Sequence, residues 1–296
     1  MTSIKKIPNK IRLTLFIVCV ALQTGVAQKS NESLLWRVSG NGLASPSYLF
    51  GTFHLMGSEY IDSLSVVKEK FDSATTLVGE LVLDNSLAPK MMMAATMKDT
   101  VLHDLLTEET YTQTSEWLKE LGGMDLTMFN RFNPSMIQML IVTLVQQKLN
   151  GKAIVPMDLH FQNLARDSKQ LIGLETFDEQ TAVLFGSSSY VHQAKQLAEF
   201  VSKRDSSVTM LVTMNRMYRG QELDALMAMF SESSYSTAEK DALLDNRNKN
   251  WMKKLPGLFE AESCFVAVGA LHLPGENGLV SLLRKAGYTV TPLPLN

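Results

Sequence analysis

Two stretches near opposite ends of the chain share one pattern: an apolar β-type run, a glycine, and a histidine three residues further on. The first is Tyr48-Leu49-Phe50-Gly51-Thr52-Phe53-His54 and the second is Cys264-Phe265-Val266-Ala267-Val268-Gly269-Ala270-Leu271-His272. A continuous apolar run of this length suits a strand buried on both faces, as in a parallel sheet. Glycine at the end of such a strand lets the backbone turn sharply or lie close to a ligand. Both histidines then fall at the carboxyl edge of a sheet, where open α/β folds place their sites. A lone Gly-x-x-His arises by chance, and a histidine there can simply cap its strand. Two in matching contexts point to a shared role as ligand or base.

The segments between them set the architecture. Leu35-Trp36-Arg37-Val38-Ser39 is a strand, and the glycine-rich turn through Pro46 makes it the first arm of an antiparallel hairpin with Tyr48–Thr52. Asp62 is placed to cap a helix carrying Leu64, Val67 and Phe71. The β-rich run Thr75 to Leu83 follows, which makes a right-handed βαβ unit and a parallel pairing. Glu80 interrupts that run, and a carboxylate among Val, Leu and Gly must be paired, ligate a metal or face an edge. From about 87 to 258 the pattern is mainly helical. It contains two short strands that end in acids, Ala153 to Asp158 and Gln170 to Glu175. A single long helix is expected over Ala238 to Leu255 and another over Glu276 to Ala286. Tyr288 to Leu293 closes the chain as a strand that Pro292 assigns to an edge. The expected fold is α/β: a central mixed, largely parallel sheet formed from both ends of the chain, with a large helical insertion between.

The N-terminus has the order of a secretory signal. Lys5, Lys6, Lys10 and Arg12 precede the apolar stretch Leu13 to Leu22, and Gly25-Val26-Ala27 offers small residues for cleavage before Gln28. The stretch is shorter than the roughly 20 residues that a spanning helix needs. Residues 1–27 are therefore expected to be removed. Residues 28–296 are expected to form one domain in the periplasm or outside the cell, with no stable membrane span. Cys19 falls inside the leader behind bulky Ile17 and Val18, which disfavours a lipoprotein cleavage site. Cys264 then stands alone, so no internal disulfide forms. A formal net charge of −2 gives no reason to expect nucleic acid. The bunched Met91, Met92 and Met93 are expected in adaptable core packing rather than in a thioether metal site.

Leu35-Trp36-Arg37-Val38 leading into the first histidine strand, with Gly269-Ala270-Leu271-His272-Leu273-Pro274-Gly275 and Gly278-Leu279, resembles the TraB/GumN family. That family is related to the Tiki proteases, the pheromone-shutdown protein PrgY and, more distantly, erythromycin esterases and haem-binding ChaN-like lipoproteins. The resemblance covers essentially all of the mature chain. In the helical middle it rests on Gly173-Leu174-Glu175-Thr176, Gly220-Gln221-Glu222-Leu223 and Arg247-Asn248. It implies an α/β core in which both histidines and a strand-borne glutamate face one cleft, and, in the Tiki branch, a divalent-metal-dependent protease. A family does not fix a chemistry.

His54, His272 and Glu80 make a two-histidine, one-carboxylate set suited to Zn²⁺, Mn²⁺, Fe²⁺ or Co²⁺ with open positions for water. Such an ion lowers the pKa of its water to about 7. Glu175 is the candidate base and Asp158 the reserve, though either acid can equally cap a helix. Arg247 can hold a substrate carboxylate or a developing oxyanion, or make an ordinary ion pair. Gly51, Gly269 and Asn248 are expected to shape the site. His103, His160 and His192 lie on helical stretches and are expected to be surface or core histidines. Three functions follow: a metal-dependent hydrolase of peptides or small acyl substrates, a non-catalytic haem- or metal-binding protein, and a peptide-sequestering protein.

Overall fold

Among the described residues six strands form one mixed sheet in the order β4-β3-β5-β2-β1-β6, with β1 at Leu35–Ser39, β2 at Ser47–Thr52, β3 at Thr76–Gly79, β4 at Gln170–Gly173, β5 at Cys264–Gly269 and β6 at Thr289–Leu293. In this computed structural model the described residues are 32–295 apart from 85 and 152, and the expected leader with Cys19 lies outside them. β4, β3, β5 and β2 run parallel, and β1 pairs antiparallel with both β2 and β6. All six residues of β2 are buried, as are the first five of β5, so these continuous apolar runs form the middle of the sheet. β6 is an edge, and Pro292, which has no N–H to give, lies there opposite Trp36.

Phe50 of β2, Phe265 of β5, Phe71 and Phe161 pack with ring centroids 5.1 to 6.1 Å apart. They clamp the helices Ser65–Ser73 and Met157–Ala165 onto the sheet. A second apolar cluster, around Trp117, Leu118, Ile137, Ile141 and Leu197, holds the helical middle together.

Several local expectations are corrected. Asp62 ends a short helix, Glu59–Asp62, and the next helix begins at Ser65, with Leu64 outside it. β3 stops at Gly79 instead of running to Leu83. No strand forms over Ala153 to Asp158. Pro156 makes one isolated bridge to Gly57 and then, with its φ fixed near the helical value, leads into the helix Met157–Ala165. The long helix expected from Ala238 is broken into Thr237–Lys240, a π-helical turn Asp241–Asp245 and Asn246–Trp251, and a separate helix covers Leu255–Ala261. The last helix starts only at Leu279, because Gly275 turns at a φ of +85°. Met91 to Met93 are not core residues. Their helix, Leu87–Ala94, buries none of its side chains, and Met93 is 77% exposed. Three consecutive apolar residues spread around a helix and give it no single face to bury.

Candidate functional site

The parallel register delivers four side chains along one sheet edge. Thr52 of β2 is opposite Gly269 of β5, and Gly79 of β3 is opposite both Ala267 of β5 and Gly173 of β4. The chain leaves each strand a few residues later at Glu175, Glu80, His272 and His54, in that order across the sheet. The β3–β4 ladder continues past the strands, with Leu174 N–H donating to Gly79 O and Glu175 N–H to Glu80 O, both at 2.9 Å. Glu80 and Glu175 are thereby fixed side by side.

The glycines are needed for closeness. A Cβ on Gly51 would stand 2.9 Å from Ala270 Cα, so β2 and the turn after β5 touch backbone to backbone. A Cβ on Gly269 would stand 3.2 Å from Glu80 Oε1, the atom that accepts Gly269 N–H at 2.8 Å. The carbonyl of Gly51 accepts the buried Tyr218 hydroxyl at 2.7 Å.

Arg247 enters from the helical middle and joins the acids. It meets Glu175 through two bonds, Nε to Oε2 at 2.9 Å and Nη2 to Oε1 at 2.6 Å. Nη2 also donates to Glu80 Oε2 at 2.5 Å, and Nη1 donates to Leu243 O at 3.2 Å and faces His272 Nε2 at 3.0 Å. The guanidinium lies over the Trp251 ring at 4.8 Å, one helical turn on. Its five N–H groups are all engaged. No donor is left for a substrate oxyanion, so the ion-pair alternative describes Arg247. Glu175 does not cap a helix, since Thr176 caps Phe177–Gly186.

His272 is buried, and its ring orientation is fixed. Its Nδ1 is 2.7 Å from Asn248 Oδ1, and the Asn248 amide donates to His272 O at 3.3 Å and Asn277 O at 2.9 Å. Nδ1 therefore carries the proton and Nε2 accepts from Arg247. Burial lowers the His272 pKa to about 3, so the ring is neutral near pH 7. Burial pushes the Glu80 carboxyl up, but Arg247, the two histidines and the Gly269 N–H together outweigh this, and the group is held down at about 2.

His54 is different: 58% of its side-chain surface is open, and its Nδ1 lies 2.6 Å from Asp158 Oδ2. Asp158, in the first turn of Met157–Ala165, also accepts Thr52 Oγ1 at 2.9 Å. It caps no helix. Its charge raises the His54 pKa to about 9, and Glu80 adds to the rise. A hollow of about 1130 Å³ begins one residue beyond Glu175, bordered by Thr176, Phe177, Lys90, Met93, Lys98 and Tyr190. It adjoins the cluster without covering it.

The expected metal set is only partly assembled. One ion with bonds of about 2.1 Å can bridge two ligand atoms up to about 4.2 Å apart. Glu80 Oε1 and His272 Nε2, at 3.9 Å, meet that limit. However, Arg247 already lies on His272 Nε2 and Glu80 Oε2, and among the described residues no three His, Cys, Asp or Glu side chains form a metal-holding group. As arranged, the residues do not fit a bound ion. Sequence reasoning missed Gln180, which donates to Glu175 Oε1 at 3.0 Å and reaches Glu80 Oε2 at 3.5 Å. It also missed Trp251, for which the four-residue spacing from Arg247 was an available signal. His103, His160 and His192 pair outside the cluster with Glu108, Asp62 and Glu239 at 3.0 to 3.2 Å.

The model of the TraB/PrgY/gumN family matches residues 34–292, and the chain belongs to that family. It is 24% identical to a metalloprotease TIKI homolog of Amphimedon queenslandica over 96% of this chain and 66% of that protein. It is 22% identical to metalloprotease TIKI2 of Danio rerio over 91% of this chain and 62% of that protein. An uncharacterized protein, YbaP of Shigella flexneri, is 26% identical over 80% of this chain and 88% of its own length. The chain thus spans just under two thirds of the length of the metalloprotease relatives. No solved structure matches.

Proposed function

We propose that this member of the TraB/PrgY/gumN family is a hydrolase of peptide or related small acyl bonds, with His54 as the acid–base group that meets the substrate. The observation that carries the reading is the His54–Asp158 pair at 2.6 Å, which leaves the other ring nitrogen of a largely exposed imidazole available. A histidine whose Nδ1 is held by a carboxylate is oriented for proton transfer through Nε2. Near pH 7 this imidazole is protonated, so its Nε2–H passes to the departing nitrogen or oxygen as water adds to the carbonyl carbon and the acyl bond breaks, and the proton that the water releases returns to Nε2. Glu80, Glu175, Arg247 and His272 form the buried frame behind it. Glu175, expected as a base, has both oxygens on Arg247 and serves to hold that side chain.

The substrate class is supported by the relatives' printed name, metalloprotease. The metal dependence in that name is the second reading, with His54, Glu80 and His272 as ligands of Mn²⁺, Co²⁺, Zn²⁺ or Fe²⁺. The neutral, Asn248-oriented His272 favours it, since metal-binding imidazoles are held this way. Export is part of the proposal and rests on the basic, apolar, small-residue order of residues 1–27. Among the described residues no helix is long and apolar enough to cross a membrane.

The test is cleavage of a peptide library by the mature protein and by His54→Ala, each with and without a chelator. Cleavage lost in the variant supports the hydrolase. Loss on chelation with recovery on Mn²⁺ or Co²⁺ selects the second reading. Tight peptide binding without cleavage, unchanged in the variant, would replace the hydrolase by sequestration, and a stoichiometric haem spectrum would replace it by haem binding.

A further inference from the structure

We propose that Arg247 is the resident cation of this site and competes directly with a divalent ion for Glu80 and His272. The inference does not need the site to be hydrolytic. It comes from the disagreement between the ligand chemistry and the arrangement of the side chains. His272 Nε2 has one lone pair, and Arg247 Nη1 faces it at 3.0 Å. Glu80 Oε1 is bonded to Gly269 N–H, and Glu80 Oε2 accepts Arg247 Nη2. Of the two atoms within one ion's reach, Glu80 Oε1 and His272 Nε2, the guanidinium rests on the nitrogen, and it takes the second oxygen of the same carboxylate. A cation of either kind satisfies them, and both cannot do so together.

The guanidinium is built in rather than resting there loosely. Glu175 holds it through two bonds, Leu243 O takes a further N–H, and Trp251 covers its face. The side chain is 12% exposed, and Glu80 and Glu175 beside it are 9% and 7% exposed. Two buried carboxylates without a cation would be strongly unfavourable. Arg247 supplies that charge within the chain, so the frame assembles without an ion, and an entering ion must displace the guanidinium from Glu80 and His272. Lysine would not substitute fully, because a point charge cannot make the planar two-bond contact with Glu175 while also reaching Glu80 and His272.

The experiment is calorimetric titration of chelator-stripped mature protein with Mn²⁺, Co²⁺ and Zn²⁺, with no peptide present. Arg247→Met is expected to bind one equivalent at least about tenfold more tightly than the wild type, a difference of about 1.4 kcal/mol. Adding His272→Ala to that variant should abolish the gain. Equal or weaker binding by Arg247→Met overturns the proposal, as does a gain that survives removal of His272. If circular dichroism shows Arg247→Met unfolded, Arg247→Lys is titrated instead. A smaller gain over wild type is then expected, and its absence overturns the proposal. Failure of peptide cleavage would leave these titrations unaffected, so the two readings fail separately.

Discussion

His54 and Asp158, 104 residues apart in the chain, meet at 2.6 Å because β2 ends beside the first turn of the helix that Phe161 anchors in the core. The contact joins an exposed imidazole to a carboxylate that is 15% exposed. It gives the cluster a titrating group in contact with solvent.

His54→Ala should lower peptide hydrolysis by about 10²–10⁴-fold, the usual contribution of a positioned acid or base. Being exposed, the ring contributes little to packing, so the melting temperature should move little. A variant that keeps full activity would remove His54 from the mechanism.

Asp158→Asn tests the pair through pH. In the wild type the raised His54 pKa, about 9, keeps the imidazolium present until the pH rises through that value. With the carboxylate neutralised, His54 should titrate nearer its usual 6.5, and the alkaline fall in activity should begin at lower pH. An unshifted profile would show that the limb belongs to another group.

Acid should unfold the protein through its buried site. His272, held at about 3, and Glu80, held at about 2, both bind protons more readily unfolded than folded. Their contribution is complete above about pH 6.5, begins to fail there as His272 comes into play, and declines further as pH falls through 3 to 2. His54 has the opposite sign: its contribution is complete below about 6.5 and fades as pH rises towards 9, and solvent screening keeps it small. Melting temperatures from pH 3 to 9 should peak near neutrality and fall most steeply on the acid side. A flat acid limb would contradict the assignment.

Gly51→Ala should destabilise by about 1–3 kcal/mol, since its new methyl carbon would meet backbone at Ala270. Gly186→Ala, at a position with nothing within 4 Å, is the control and should be close to neutral in the same urea titration. Equal effects would mean that the two backbones can separate freely.

Cys264 is buried in β5, and burial raises its thiol pKa to about 12. A maleimide should leave it unmodified in the native protein and label it fully in denaturant. Rapid native labelling would mean that the centre of the sheet opens on that timescale.

The sheet was legible because its evidence is local. β2 and β5 are unbroken apolar runs, Glu80 is a charge among buried residues, and Pro292 marks an edge. From these the shared carboxyl edge of the sheet could be reasoned out. What joins the cluster was not legible: Arg247 reaches Glu80 across 167 residues and Glu175 across 72. Gln180 sits on an ordinary capped helix with no pattern of its own. The break at Asp241–Asp245 was hidden because Leu243 and Leu244 keep an acceptable helical spacing, and hydrogen bonding alone distinguishes a π turn from an α turn.

That π turn acts as a phase shifter. A π turn carries one residue more than an α turn, and each α-helical residue advances the helix by about 100°. Arg247 and Asn248 lie just beyond it, one facing Glu80 and Glu175, the other facing His272 Nδ1. Winding these same five residues, Asp241–Asp245, as plain α-helix would alter no side chain of the cluster. Everything downstream would then be rotated by roughly a quarter turn relative to the helix before it, and the arginine, the asparagine and Trp251 would lose their places together. The five-residue interval therefore works as an angular code, in which the winding of a stretch at fixed length determines which side chains face the carboxyl edge of the sheet.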